Sequence, residues 1–455
     1  MLIKKIADKL FINKLTIFVT RSKITIMIDT LIIKNFKSLK NVRFDLQKIN
    51  LFIGPNNSGK TNVFKALEYL FHSILSDKTK IAIENLRRDY FSFGNKETTV
   101  FNEPISFIFC KKKEKSYNYY IVEFWGLNKN NQIIKREFIG ETTQELPDDF
   151  SIGNWKESEN LISTFTVQLF YSRGINFDSI HYNRLNNYSL ILFRDKTATI
   201  VQTQSDTKGV NNLFDFENID IEIAKFLRSI SQNIRIYTPD PNQIKKPGLL
   251  GTDDFVNSDA SNLVSFFDNM RDYQPEIFAE IKKDLTECLP EIKDIRFKKI
   301  KINNKISKQV VLFDVYNRGF LSDEVSEGIL YFMALLAIVH QPSPPRLLMI
   351  EEPEKGIHPR RLHEIMHFIF ELADKKDIQI MLTSHSPQVV NEFENFPETI
   401  FVFDNEKGET KVKNLLKDII EPSDKKSDEK GFPKIDYTQT LGEHWIYGFL
   451  GGVPK

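Results

Sequence analysis

Cysteine is nearly absent from this 455-residue chain: only Cys110 and Cys288 occur, far apart. That excludes a disulfide framework and a cysteine-built metal site, and it fits a reducing cytoplasm. No apolar run approaches the length that spans a bilayer. Internal repeats, low-complexity tracts and sustained heptads are also missing, so neither a solenoid nor a long coiled coil is expected. The net charge is only +1, with 27% charged and 41% hydrophobic residues, which are ordinary values for a globular protein of two or three domains. The near-neutral total hides one asymmetry. Residues 1–26 carry six basic side chains against the single acid Asp8, and the remainder is slightly acidic, with 56 basic and 60 acidic residues. Asn13 and Lys14 break the apolar stretch of that segment, and no small-residue cleavage site follows. Because Met27 opens a strand at Ile28, residues 1–26 read as an upstream extension from an alternative start. A membrane-surface anchor is the other reading.

What is present is concentrated at Gly54-Pro-Asn56-Asn57-Ser58-Gly59-Lys60-Thr61, a complete G-x-x-x-x-G-K-[ST] loop. The apolar run Ile49–Ile53 precedes it, and Val63, Leu67 and Leu70 follow at helical spacing. Strand, glycine-rich turn and helix N-terminus together aim backbone N–H groups and a helix dipole at phosphate oxygens. Lys60 is then expected on the β- and γ-phosphates, and Thr61 on Mg²⁺. Farther along, Leu347–Ile350 reads as an interior parallel strand ending in Glu351-Glu352-Pro353. Ligands of open α/β sheets bind at such strand ends. Glu351 is therefore the candidate Mg²⁺ carboxylate, and Glu352 the candidate general base for water. Thr383-Ser-His385-Ser-Pro387 ends the next strand and places a histidine at the same edge. Before the apolar helix at 328–339, Ser326 and the Gly328 N–H form a second anion cradle, one more than a single γ-phosphate requires.

In order and character these pieces resemble the ABC-type ATPases of the SMC, RecF and OLD (overcoming-lysogenization-defect) group. Ile33-Lys-Asn35-Phe36-Lys37-Ser38 resembles the strand that opens their ATPase heads. Gly54–Thr61 resembles Walker A, with Asn62 beside it, and Leu347–Glu352 resembles Walker B. Leu321–Gly328 is similar to a divergent signature, departing at Asp323-Glu324-Val325; Glu354–Pro359 is similar to the D-loop and Thr383–Pro387 to the switch-histidine loop. The resemblance implies an α/β P-loop NTPase, an ABC-type head split by a mixed α+β insertion. Its parts are expected as a basic extension (1–26), an ATPase lobe (27–150), a mostly helical insertion (151–294), a second ATPase lobe (295–420), and a linker with an aromatic tail (421–455). It implies ATP and Mg²⁺ as cofactors, and ATP held between Walker A of one copy and the signature of another. It also implies a separate effector such as a nuclease or toxin, in antiphage defence or DNA maintenance. The Toprim nuclease of OLD proteins is not expected, since only 70 residues (455 − 385) follow His385 and hold no Asp-x-Asp cluster. A scaffold gated by nucleotide with negligible turnover is the third reading.

Three patches stay ambiguous. His363-Glu364-Ile-Met-His367 is a literal H-E-x-x-H, a zinc-protease pattern. Leu362, Ile365, Met366, Ile369 and Phe370 nevertheless make that helix a packing helix, with the histidines on its flank and only Glu392 or Glu394 to nominate as third ligand. Lysines 111–113 and Lys298, Lys299, Lys301 and Lys305 suit a phosphate backbone or the wet face of an edge strand. Residues 441–452, Leu-Gly-Glu-His-Trp-Ile-Tyr-Gly-Phe-Leu-Gly-Gly, either dock on their own head or anchor a partner.

Overall fold

In the computed structural model, the structure describes residues 27–75, 104–115, 117–127, 133–142, 145, 165–170, 192–194, 197–199, 235–249, 253–302, 305–355, 357–376, 378–437 and 439–453. Residues 1–26 and most of residues 151–234 lie outside them.

The central sheet is built from both ends of the sequence. Its strand order is Ile236–Tyr237, Leu347–Glu351, Gln379–Ser384, Ile49–Ile53, Ile400–Glu406 and Glu409–Asn414. The first five run parallel, and the last returns antiparallel as a hairpin. The inner four strands carry near-continuous apolar runs because both of their faces are covered. Leu51, Ile53, Leu348, Ile350, Ile380, Leu382, Ile400 and Val402 enter one core. Phe52, Leu347, Met349, Met381, Phe401 and Phe403 enter the other. The period of two thus divides each strand between two interiors.

The second core holds helix Lys60–Leu75, through Val63, Phe64, Leu67, Leu70 and Phe71, together with an antiparallel sheet. That sheet has the order Leu39–Asp45, Thr30–Phe36, Ile105–Lys112, Tyr117–Leu127, Ile133–Thr142 and Phe165–Phe170. The first core holds helices Glu327–His340, Pro359–Lys375, Leu263–Tyr273 and Pro275–Cys288. Helix Glu327–His340 is buried nearly all round, as its unbroken apolar sequence requires. Prolines open helices at 275, 359 and 387, where the missing N–H costs no hydrogen bond.

A third sheet pairs Ile292–Ile302 with Lys305–Asp314, with Ile292–Ile302 at its edge. Lys298, Lys299 and Lys301 are exposed along that edge strand, the placement that guards against edge-to-edge pairing.

Residues 421–434 differ from the linker expected of them. Glu421–Lys430 is a helix with no buried residue, entered through a π-helical turn at Leu415–Ile420. Its stability is local: Pro422 in the first turn, Glu421 four residues before Lys425, Lys430 in the last turn, and Gly431 closing it at φ +67°. A polar composition punctuated by Pro and Gly hid a helix whose Pro and Gly are its start and stop.

Candidate nucleotide site

Parallel pairing brings the strand ends together. Ile49–Ile53, Gln379–Ser384 and Leu347–Glu351 are adjacent and run the same way, so the loop at Gly54, His385 and Glu351-Glu352 leave one edge. Lys60 lies on the first turn of its helix and is 5% exposed. Its Nζ donates to the carbonyls of Gly54 (2.8 Å) and Pro55 (2.9 Å). Burial pulls its pKa down to about 8, opposed by the charges of Glu352, Glu351 and Glu354. One lysine therefore feels all three carboxylates, although 291 positions separate it from Glu351 (351 − 60).

The loop is a concave nest of backbone. Gly54 and Gly59 take φ +148° and +105°, and Asn57 takes +64°. A Cβ at Gly54 would lie 2.4 Å from the Phe403 carbonyl, and one at Gly59 would lie 2.0 Å from Thr410 Oγ1. Only glycine fits at either place. Asn56 and Asn57 are exposed, Ser58 is buried, and Thr61 and Asn62 are half-buried. The Asn62 amide donates to Ser38 Oγ (2.8 Å), which contacts Thr410 Oγ1 at 2.7 Å. Lys37 precedes Ser38 in the same turn at φ +51°, so the turn between the first two strands abuts the start of the loop helix.

The acidic side is arranged as tightly. Glu352 adopts φ +50°, a strained conformation for a residue with a side chain. Its N–H donates to Thr383 O (2.9 Å), and its Oε1 lies 3.8 Å from His385 Nε2. Burial, then the Lys60 charge, lowers the His385 pKa, while Glu352 raises it. Glu354 Oε1 accepts from Ser384 Oγ and from the His385 N–H, each at 2.8 Å, and burial holds this carboxyl above its ordinary pKa.

The fit to a magnesium nucleotide can be judged from the polar atoms left over. Among the described residues, Glu351 Oε1 and Ser58 Oγ are buried with no hydrogen-bond partner in the protein. A buried carboxylate oxygen so placed suits a hard cation, and the nest suits phosphate. Glu351 and Thr61 could hold Mg²⁺; Lys60 and residues 54–61 could hold the phosphates.

Ser326 caps helix Glu327–His340 with an exposed side chain, accepting from the Ile329 N–H at 3.5 Å. Gly328 is buried beside Arg361 and Ile357. Among the described residues no hydrogen bond joins this turn to residues 54–61 of the same chain. The helix does reach the acidic group one turn later. The Tyr331 hydroxyl is buried without a partner, and its pKa is raised by burial and by the charges of Glu354 and Glu352. A lone hydroxyl in an otherwise apolar helix was the available signal. Thr410 and Asn405, which bond the carbonyls of Ser58 (2.9 Å) and Asn57 (3.0 Å), gave none.

Among the described residues, no third ligand is shared by both histidines of the H-E-x-x-H helix. His363 Nδ1 meets Glu392 at 2.9 Å, Glu364 is taken by Arg361 at 2.7 Å, and His367 lies 3.8 Å from Glu371. Among the described residues no group of three His, Cys, Asp or Glu side chains is placed to hold a metal ion. Metal analysis of purified protein is expected to find no stoichiometric zinc; zinc lost together with a peptidase activity would reverse that reading. No helix among the described residues is long and apolar enough to cross a membrane.

Several known proteins are similar to parts of this chain. An ATP/GTP phosphatase of Helicobacter pylori is 38% identical over 66 residues, 14% of this chain and 18% of the relative. The DNA replication and repair protein RecF of Glaesserella parasuis is 24% identical over 226 residues, 46% of this chain and 53% of the relative. The chain thus spans about half or less of the length of these curated relatives. The SMC head domain from Thermotoga maritima aligns with a TM-score of 0.36 and 12% identity, over 85% of this chain and 98% of that one. Residues 49–391, three quarters of the sequence and the whole span from the strand before the phosphate loop to the helix after His385, match the family described as "AAA domain, putative AbiEii toxin, Type IV TA system". The chain belongs to that family, and its parallel sheet with a phosphate loop at one edge is an α/β P-loop fold.

Proposed function

We propose that this protein is a Mg²⁺-dependent ATPase that uses ATP-driven pairing of two heads to control a partner. The observation that carries the reading is that the Gly54–Thr61 loop, His385 and Glu351-Glu352 leave the same edge of one parallel sheet. In this reading Gly54, Asn56, Asn57, Ser58, Gly59, Lys60, Thr61 and Asn62 wrap the phosphates, with Lys37 beside them. Thr61 and Glu351 hold Mg²⁺, which neutralises charge on the phosphates when bound. Glu352 takes the proton of the attacking water, and His385, 3.8 Å from it, senses the γ-phosphate. Ser326 and Gly328 serve the nucleotide of a second copy, which accounts for a cradle that, among the described residues, makes no hydrogen bond to its own loop. Bound ATP then favours the paired state because it contacts two chains there and one elsewhere.

The controlled partner is a separate effector of nuclease or toxin type, in antiphage defence or DNA maintenance, and the site works in the cytoplasm without a membrane. The exposed lysines of strand Ile292–Ile302 favour a second reading, a nucleotide-gated DNA scaffold with negligible turnover. Turnover assays with and without Mg²⁺, with light scattering beside them, test the choice. The ATPase reading expects phosphate release only with Mg²⁺, and a doubled mass with a non-hydrolysable ATP analogue. Salt-sensitive, nucleotide-dependent duplex binding without turnover would instead select the scaffold.

A further inference from the structure

We infer that residues 441–453 form a clamp that fixes the phosphate loop relative to the His385 turn; the inference rests on the nucleotide reading of that loop. Leu441, Trp445 and Leu450 are buried in the core that the central sheet shares with its helices. The two ends of this segment touch the two halves of the site.

At the far end, Gly452 (φ +63°) lies against the loop itself. A Cβ there would stand 2.6 Å from Val402 Cγ1, 3.2 Å from the Phe403 carbonyl and 3.5 Å from the Cα of Gly54. The same Phe403 carbonyl excludes a side chain at Gly54, so it is enclosed between two glycines. Gly452 is held there by its N–H to Asp404 (3.3 Å) and by Trp445 Nε1 donating to its carbonyl (3.1 Å). At the near end, Gly442 N–H donates to Asn391 Oδ1 (2.7 Å), and a Cβ on Gly442 would stand 2.3 Å from the carbonyl of Pro387. Pro387 opens the short helix two residues after His385. Trp445 and Leu450 fasten the stretch between these contacts, so neither half can shift without disturbing the other.

Glycine at 442 makes the inference sharp. It lies inside helix Leu441–Ile446, where alanine is intrinsically favoured, yet its Cβ would strike backbone. Gly431 is the matching control for Gly452, because it has φ +67° with nothing within 4 Å of a Cβ.

Hydrogen exchange without nucleotide, affinity for a fluorescent ATP analogue, and kcat should be measured on the full chain. Gly452→Ala should speed exchange over 54–61 and raise the Kd about tenfold, with kcat little changed. Gly442→Ala should speed exchange over 385–391 and lower kcat more than affinity. Gly431→Ala should leave all three at wild type. If Gly452→Ala does not fold, Trp445→Phe, which removes only the indole N–H from Gly452, should show a smaller loss in the same direction. Wild-type exchange and Kd in the folded Gly452 or Trp445 variant overturn the clamp. Faster loop exchange in a protein whose wild type binds no ATP leaves the clamp standing and removes the nucleotide reading.

Discussion

Lys60→Ala is expected to weaken ATP binding by about a hundredfold, the loss of roughly 3 kcal/mol from a charged contact to phosphate. Its effect on folding should be far smaller. Burial has already drawn Lys60 down to about 8, so the native state holds the charged form less well than water does. Its two hydrogen bonds, to Gly54 and Pro55, go to a loop also braced by Ser38, Asn405 and Thr410. Isothermal titration should therefore show the lost affinity, while the melting curve stays close to wild type. An affinity within threefold of wild type would remove Lys60 from the site (on the order of 0.6 kcal/mol, too little for a phosphate contact). Linkage adds a pH signature. Phosphate favours the charged amine, so its pKa rises on binding, and above about 8 the complex takes up a proton. Wild-type affinity should be full below about 8 and decline as pH rises through it. Lys60→Ala should lack that decline.

The readable parts of this site were those whose constraint is local. A loop that must bend through Gly54 and Gly59 carries its glycines in the sequence, and a strand buried on both faces spells itself out as Leu347–Ile350. The order of the strands was not local. Ile236–Tyr237 pairs with Leu347–Glu351 across more than a hundred residues through a two-residue contact that no periodicity marks. Thr410 reaches Ser58 from a hairpin 352 positions away, and nothing in Glu-Thr-Lys-Val distinguishes it from any edge strand. The aromatic stretch at 441–452 was ambiguous for a physical reason, since one helical turn has both a buried and an exposed apolar side. It buries Leu441 and Trp445 and leaves Ile446 and Tyr447 exposed. Helix Glu421–Lys430 was missed because it buries nothing, and sequence patterns mostly register what is buried.

Glu352→Gln should slow hydrolysis by about two to four orders of magnitude, the usual worth of a general base, while leaving ATP binding intact. The carboxylate is 43% exposed and 3.8 Å from His385 Nε2, so an amide of the same shape fits without repacking. The backbone at φ +50° and the Glu352 N–H bond to Thr383 are unaffected by the change. Nothing that grips phosphate is touched, since Lys60 and the glycines belong to another strand end. A protein that binds ATP but cannot cleave it should accumulate in whichever state ATP favours. With Mg²⁺ and ATP, light scattering of this variant should therefore rise from the mass of one chain, 53.1 kDa, toward that of two, while the wild type relaxes as it turns over. The two readouts fail separately. Wild-type turnover in Glu352→Gln would mean that another group activates the water, with Glu354 the next carboxylate to test. Slow turnover without any gain in mass would keep Glu352 as the base and remove head pairing as the step that ATP drives.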